Sequence, residues 1–83
     1  MSSLYHSRMA IDVEKLAENF AKKIRIERAK RRMSQEQLAE LADVHRTTIS
    51  AIEREKFFPT IDNAAKIANA LDLTMGELFD FNF

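Results

Sequence analysis

The side chains best suited to recognising a ligand form one polar row, in which residues recur at spacings of one, three and four. These residues are Arg46, Thr47, Ser50 and Ala51. On a helix, such spacings share one face. The guanidinium of Arg46 can donate two parallel hydrogen bonds, which match O6 and N7 of guanine. Thr47 can hydrogen-bond a base or a phosphate, and Ala51 can touch a thymine methyl. The alternative is that Arg46 is an ordinary solvated arginine.

Two short helices joined by a tight turn are predicted to present this row. Ser34 and Gln37 form a capping box, so the first of the two should begin at Gln35. Residues 43–44 form the turn, and the second helix covers about 46–54. The side chains expected inside are Leu38, Ala39, Leu41, Ala42, Ile49 and Ile52. When a helix lies in the major groove, the residues at its start reach the edges of the bases. The polar row lies at the start of the second helix.

Three further helices are predicted around this pair. The first is capped by Asp12 and ends near Arg31, and its apolar side chains recur at spacings of three and four: Val13, Leu16, Ala17, Phe20 and Ile24. Another begins after the cap Thr60, and its inner face is predicted to carry Ile61, Ala64, Ala65, Ala68 and Leu71. A capping box of Thr74 and Glu77 opens a short last helix.

The composition favours an all-α fold in a single domain. The 83 residues contain one Gly and one Pro, whereas a β-fold would need turn glycines and β-branched alternation. We expect residues 1–11 to form a flexible segment and residues 12–83 to form the domain. A chain of this length leaves no room for a separate ligand-sensing half.

Several classes of function are disfavoured by what the sequence lacks. Without cysteine there is no disulfide or zinc knuckle, and His6 and His45 lie too far apart to suggest a metal site. No nucleophile–base pair or phosphate-binding loop can be assembled, so we expect no catalysis, no cofactor and no small-molecule ligand. No apolar run approaches ~18 residues and no leader is visible, so we expect a cytoplasmic protein without membrane contact.

The charges are unevenly distributed although the net charge is zero. Residues 22–56 contain ten basic and six acidic side chains, and the remainder contains three basic and seven acidic ones. The middle segment is therefore positive, which favours a surface that faces phosphates. The alternative is a solvated helix face with no partner.

The two-helix unit and its surroundings resemble the helix-turn-helix domain of the phage repressor and Cro-like family, also called the xenobiotic-response-element family. The resemblance covers roughly residues 20–79 and includes Pro59, residues 67–71 and residues 77–79. It implies a five-helix, repressor-like DNA-binding domain whose partner is double-stranded DNA.

The resemblance also assigns roles to residues around the polar row. A glutamine at the start of the second helix commonly contacts a phosphate in this family, as Gln35 would. His45 stands at the N-cap of the third helix, where relatives more often have Ser or Thr; it is either a weak cap or a phosphate contact. Arg54 and Lys56 leave the end of that helix and are expected to anchor phosphates.

Arg28 and Glu53 resemble a buried ion pair found in several relatives. The resemblance implies that this pair locks the packing that presents the third helix. Because desolvation consumes much of the attraction, such a pair indicates orientation more than net stability.

The sequence departs from its relatives at four positions where they often have glycine. These positions hold Arg32, Asp43, Glu55 and Asp72. Glycines there typically end helices in the left-handed conformation, which Asp tolerates better than Arg or Glu. Either the backbone is strained at these positions or the helix ends are rebuilt.

The aromatic residues near the C-terminus are numerous for so small a core. One interpretation is that some of them cap the core. Exposed aromatic patches usually mark a partner surface, and relatives dimerise through this region. The residues expected at a two-fold dimer contact are Phe57, Phe58, Met75, Leu78, Phe79 and Phe81. Such a dimer would hold its recognition helices ~34 Å apart, one turn of DNA.

The leading hypothesis is a sequence-specific transcriptional regulator that binds a pseudo-palindromic operator as a homodimer. Residues 45–50 resemble the controller proteins of restriction–modification operons. The alternatives are an antitoxin, or a protein–protein adaptor that retains the fold without binding DNA. Near-zero net charge favours the adaptor, and Arg46 with the basic middle segment opposes it.

Overall fold

The computed structural model describes residues 11–83, which form five helices and no strand. The helices are α1 (Val13–Lys30), α2 (Gln35–Ala42), α3 (Arg46–Glu53), α4 (Ile61–Ala70) and α5 (Met75–Leu78). The all-α, five-helix prediction is therefore confirmed. The flexible segment predicted for residues 1–11 lies outside the described residues, apart from Ile11, which is exposed.

Four helices begin where a short polar side chain caps the backbone. Asp12 and Thr60 accept hydrogen bonds from the amides of the third residues of α1 and α4. Ser34 and Thr74 each form a full capping box, in which the third residue's side chain accepts from the cap's own amide. These caps satisfy amides that have no partner inside the helix, which is why local sequence predicted the starts correctly.

Each of the first four helices ends in a left-handed residue that is not glycine. The four are Arg32, Asp43, Glu55 and Asp72, with φ between 53° and 62°. At every one of these ends, two backbone amides turn back to the helix's last carbonyls, as Val44 does to Ala39 at 3.0 Å. The helix ends therefore keep the geometry that glycine would favour, and the backbone carries strain there.

One apolar core joins α1 to the other four helices. Its fully buried large side chains are Phe20, Ile24, Leu38, Ile49, Ile52, Ile67, Leu71 and Leu78. Small residues lie between them, including Ala39 and Ala42 on α2, which contacts both α3 and α4. α3 also packs against α1. α3 is thus held on its inner side by α1 and α2.

Two apolar residues predicted on inner faces are exposed instead. Leu41 is 62% exposed, because α2 contacts its neighbours through Leu38, Ala39 and Ala42, and Leu41 lies at the outer edge of that stripe. Ile61 is 80% exposed, since the first turn of α4 lies beyond the core, whose contacts begin at Ala64. Val13 is likewise exposed in the first turn of α1. The predicted burial of Leu41 and Ile61 is therefore wrong, and the apolar stripe of α1 becomes buried only beyond Val13.

A buried carboxylate, unforeseen in the sequence, ties α1 together near its C-terminal end. Glu27 accepts from Arg31 at 2.7 Å and lies 3.3 Å from both Lys23 and Lys30. Burial raises the pKa of Glu27, but the hydrogen bonds from Arg31, Lys23 and Lys30 outweigh burial and hold the pKa below its usual value. Glu27 therefore stays ionised inside the fold.

Within residues 11–83, none of the helices has the length and apolar character needed to cross a membrane.

Candidate nucleic-acid interface

The third helix presents two opposite faces, one apolar and one polar. Ile49 and Ile52 are buried in the core, which fixes the rotation of α3 about its axis. Arg46 and Thr47 are exposed on the first turn. Ser50 and Ala51 lie one turn later and are half-buried. The predicted polar row therefore lies on the outer surface, and it is most accessible at the helix start.

The N-terminus of α3 carries no side-chain cap and no acidic residue in its first turn. His45 occupies the N-cap position, as predicted, but its side chain makes no capping hydrogen bond and is exposed. The unpaired amides and the helix dipole leave this end electropositive. The first turn of α3 therefore places no carboxylate of its own against an approaching anion.

Basic side chains follow directly after α3. Arg54 is exposed, and its Nε lies 3.4 Å from the Ser50 carbonyl oxygen. Lys56 is also exposed, and its amide donates to the Ala51 carbonyl at 2.8 Å. The left-handed Glu55 stands between them. The backbone of these two residues is thus fixed by the helix end, while their charged groups remain in solvent.

Arg28 and Glu53 form a bidentate ion pair between α1 and α3. Arg28 Nε donates to Glu53 Oε2 at 2.6 Å, and Nη2 donates to Oε1 at 2.8 Å. The hydrogen bonds from its guanidinium to Glu53 raise the pKa of Arg28. Arg28 also donates to the Met33 carbonyl at 2.7 Å. The pair therefore connects the end of α3 to α1 and to the segment before α2.

Gln35 belongs to the same network. Its Nε2 donates to Glu53 Oε1 at 3.0 Å, and its side chain is half-buried. Gln35 is also the first residue of α2, where unpaired backbone amides face outward. One amide hydrogen of the side chain and the helix N-terminus remain for an anion.

Arg25 is a member of this network that the sequence did not reveal. Its Nη1 donates to the Glu53 carbonyl at 2.7 Å, across 28 positions of the chain. The only available signal was that Arg25 and Arg28 are three residues apart and so share a face of α1. Nothing in the local pattern shows which carbonyl such a side chain would reach.

Part of the positive charge of residues 22–56 is neutralised by ion pairs within the protein. Four of its side chains are in ion pairs with Glu27 or Glu53: Lys23, Arg28, Lys30 and Arg31. The basic residues close to α3 are different, since Arg46, Arg54 and Lys56 have no ion pair within 4.0 Å in the described chain. Six basic side chains of the segment therefore have no ion pair within the described residues, and three of the six lie at the two ends of α3. The other three are Lys22, Arg25 and Arg32.

Aromatic side chains stack beside α1 at the other side of the core. The buried Phe20 lies between Phe58 and Phe79, with ring centroids 5.9 Å and 5.1 Å away. Phe81 is half-buried against the core. The exposed apolar residues in this region are Phe57, Phe58, Met75, Phe79 and Phe83.

Leu78 differs from the other residues predicted at a dimer contact. Its side chain is completely buried in the core, so it has no surface to offer a partner. The prediction that Leu78 contacts a second subunit is therefore wrong, and its role is to hold α5 on the core.

Sequence comparisons identify relatives with the same organisation. The helix-turn-helix family profile matches residues 24–78. Control protein C.BamHI from Bacillus amyloliquefaciens is 46% identical over 63 residues, covering 75% of this chain and 78% of that protein. An uncharacterized HTH-type transcriptional regulator from Archaeoglobus fulgidus is 40% identical over 60 residues, covering 72% of this chain and 86% of that protein.

Two solved structures are also similar. The restriction-modification controller protein C.AhdI from Aeromonas hydrophila has a TM-score of 0.72 and 32% identity, covering 75% of this chain and 94% of that chain. The hypothetical transcription factor NHTF from Neisseria has a TM-score of 0.75 and 32% identity, covering 83% of this chain and 79% of that chain. The chain therefore belongs to the helix-turn-helix family, and it is a DNA-binding transcriptional regulator homologous to restriction–modification controller proteins.

Proposed function

We propose that α3 enters the major groove of duplex DNA and reads base edges through its first turn. The observation that carries this proposal is the contrast on α3: Ile49 and Ile52 are buried, whereas Arg46 and Thr47 are exposed. Arg46 is assigned to a guanine, through two parallel hydrogen bonds. Thr47 and Ser50 hydrogen-bond bases or phosphates.

Ala51 completes the base-reading face. It is half-buried on α3, one turn beyond Thr47, and a methyl group of its size can contact a thymine methyl. Because Ala51 is less accessible than Arg46, its contact requires that the helix lie deep in the groove.

Phosphate contacts surround the base-reading turn. Gln35 and His45 lie at the starts of α2 and α3, where free amides and the helix dipole favour an anion. Arg54 and Lys56 extend from the other end of α3 into solvent. Contacts of this kind fix the register of a protein on DNA without reading its sequence. They supply affinity, and Arg46 supplies most of the discrimination.

The protein acts as a two-fold homodimer on a pseudo-palindromic operator. The proposed contact is the apolar group near α5, which comprises the exposed Phe57, Phe58, Met75 and Phe79 and the half-buried Phe81. An isologous contact repeats the same patch on both subunits. It would hold the two copies of α3 ~34 Å apart, so that they meet successive major grooves on one side of the duplex.

The regulated genes are proposed to be those of a restriction–modification operon. The support is the 46% identity to Control protein C.BamHI and the likeness to the controller protein C.AhdI. The protein performs no chemical step and works in the cytoplasm, and its own concentration controls occupancy of the operator.

The test is a selection of bound duplexes from a random DNA pool, followed by a salt titration of the selected sequence. We expect two related half-sites about 10 base pairs apart. We also expect affinity to fall steeply with salt, because each neutralised phosphate releases condensed counterions. A pool that remains random after repeated selection would contradict the proposal.

The second candidate is an adaptor or antitoxin that uses the same fold to bind a protein. It is favoured by the exposed Leu41 and Ile61, which lie outside both proposed contacts, and by the net charge of zero. An adaptor would show no enrichment from the DNA pool and no steep dependence on salt, so the same experiment distinguishes the two functions.

A further inference from the structure

Three arginines near the end of α1 recur every third residue, and each donates to a backbone carbonyl elsewhere in the chain. The bonds join Arg25 to Glu53 at 2.7 Å, Arg28 to Met33 at 2.7 Å and Arg31 to Leu71 at 2.6 Å. Glu53 is the last residue of α3, and Leu71 is the C-cap of α4. α1 therefore holds the C-terminal ends of two other helices.

The bond from Arg25 completes the hydrogen bonding at the end of α3. The last four carbonyls of a helix have no partner inside it. Three of them here accept from amides that follow the helix: Ser50 from Arg54, Ala51 from Lys56 and Ile52 from Glu55, at 2.8–3.0 Å. The fourth carbonyl belongs to Glu53, and the donor it has among the described residues is Arg25.

α3 depends on such external support more than a longer helix would. It has eight residues, and isolated helices below about 12–15 residues are marginal in water. Its N-cap, His45, makes no side-chain hydrogen bond. The orientation of α3 is therefore set by its buried isoleucines and by the contacts that Glu53 makes with α1 and α2.

We propose that Arg25 is a positioning residue for DNA recognition, which acts by fixing the C-terminal end of α3 from α1. In this role Arg25 touches no DNA. It holds the backbone from which Arg54 and Lys56 extend, and so it sets the angle at which Arg46 meets the base pairs. The inference rests on the recognition surface proposed above.

The first experiment compares Arg25→Gln with wild type on the selected operator and on unrelated duplex DNA, across a range of salt concentrations. Gln removes the charge and is too short to reach the Glu53 carbonyl. Lys66→Gln, on the exposed side of α4, is the control for the loss of one positive charge. We expect the ratio of specific to non-specific affinity to fall about tenfold in Arg25→Gln, the effect of losing one charged hydrogen bond. Lys66→Gln should leave the ratio unchanged.

The salt dependence separates positioning from direct contact with DNA. If Arg25 is a positioning residue, a plot of log affinity against log salt concentration should have the same slope for Arg25→Gln as for the control Lys66→Gln. If Arg25 touched a phosphate, its loss would weaken binding to all sequences alike and reduce the slope by about 0.9; that result, or an unchanged affinity ratio, overturns the inference. If the wild-type protein shows no sequence preference, the proposed function is overturned as well. If wild type and Arg25→Gln prefer the selected operator over unrelated DNA by the same ratio, only this inference is overturned.

The second experiment measures amide hydrogen exchange in the free protein, so that DNA binding does not enter. The amides of Glu55 and Lys56 close the end of α3, and those of Asp72 and Leu73 close the end of α4 with the same pattern. We expect exchange about tenfold faster at 55 and 56 in Arg25→Gln and unchanged exchange at 72 and 73, because opening is local. Equal acceleration at both ends, or none at 55 and 56, overturns the inference.

Discussion

Gln35 Nε2 lies 3.0 Å from Glu53 Oε1, so a residue expected to bind a phosphate also contacts the ion pair that connects α3 to α1. An ionised carboxylate only accepts hydrogen bonds, so the amide nitrogen of Gln35, and not its oxygen, faces Glu53. The interaction leaves one side-chain N–H for DNA. The contact proposed between Gln35 and the DNA backbone is thereby joined to the packing of α3 through one side chain.

The ion pair itself gives the first prediction. Arg28→Met should lower the free energy of unfolding by about 3 kcal/mol or more, because it leaves the buried Glu53 carboxylate without its cation. Urea denaturation measures this change. The double variant Arg28→Met with Glu53→Met should recover most of the loss, since no buried charge remains. A loss below about 1 kcal/mol in the single variant, typical of an exposed pair, would contradict this account.

The left-handed helix ends give a second prediction. Glu55 adopts φ 62° at the end of α3, a conformation that costs a residue with a Cβ about 1–2 kcal/mol. Glu55→Gly should therefore raise the free energy of unfolding by about 0.5–1 kcal/mol, after allowance for the greater freedom of Gly in the unfolded chain. Asp43→Gly should raise the free energy of unfolding by less, because Asp tolerates the left-handed conformation better than Glu does. Thermal unfolding measures the stability of both variants. The control is Glu55→Ala, which should not be more stable than wild type because Ala keeps the Cβ.

A third prediction concerns pH. The folded-state pKa of Glu27 lies below its usual value of 4.5, so the folded protein holds this carboxylate ionised more strongly than the unfolded chain does. Its contribution to stability is therefore complete above the unfolded pKa and is lost as the pH falls through the folded pKa. Wild type should lose more unfolding free energy between about pH 5 and pH 3 than Glu27→Gln does. Parallel pH profiles for the two proteins would show that Glu27 makes no such contribution.

The proposed dimer gives a fourth prediction. Phe57 is 42% exposed and is not part of the aromatic stack around Phe20. Phe57→Glu should therefore weaken self-association about tenfold or more while leaving the core intact, because it places a charge in an apolar contact. Ile61→Glu, at a more exposed apolar position outside the proposed contact, is the control. Sedimentation that shows equal dimerisation of both variants would place the subunit contact elsewhere.

The helix starts could be predicted from sequence because their determinants are local. Ser34 with Gln37 and Thr74 with Glu77 lie three residues apart, and the capping box follows from that spacing alone. The outward position of Arg46 was also predictable, since the buried Ile49 and Ile52 fix the opposite face of the same helix.

The exposure of single apolar residues could not be predicted in this way. Periodicity identifies a stripe on a helix, but it does not show where the neighbouring helix stops, as Leu41 and Ile61 demonstrate. The bond from Arg25 to the Glu53 carbonyl connects residues 28 positions apart. Such a contact depends on how α1 and α3 pack, which no spacing within either helix records.

The central claim is that Arg46 reads a base from the exposed first turn of α3. Selection from a random DNA pool, carried out in parallel with wild type and Arg46→Ala, tests it most directly. We expect the variant to keep the helical content of wild type and to lose preference at one base pair of each half-site, where discrimination falls by about 1–3 kcal/mol. An Arg46→Ala protein that selects the same sequence with the same stringency would contradict the claim.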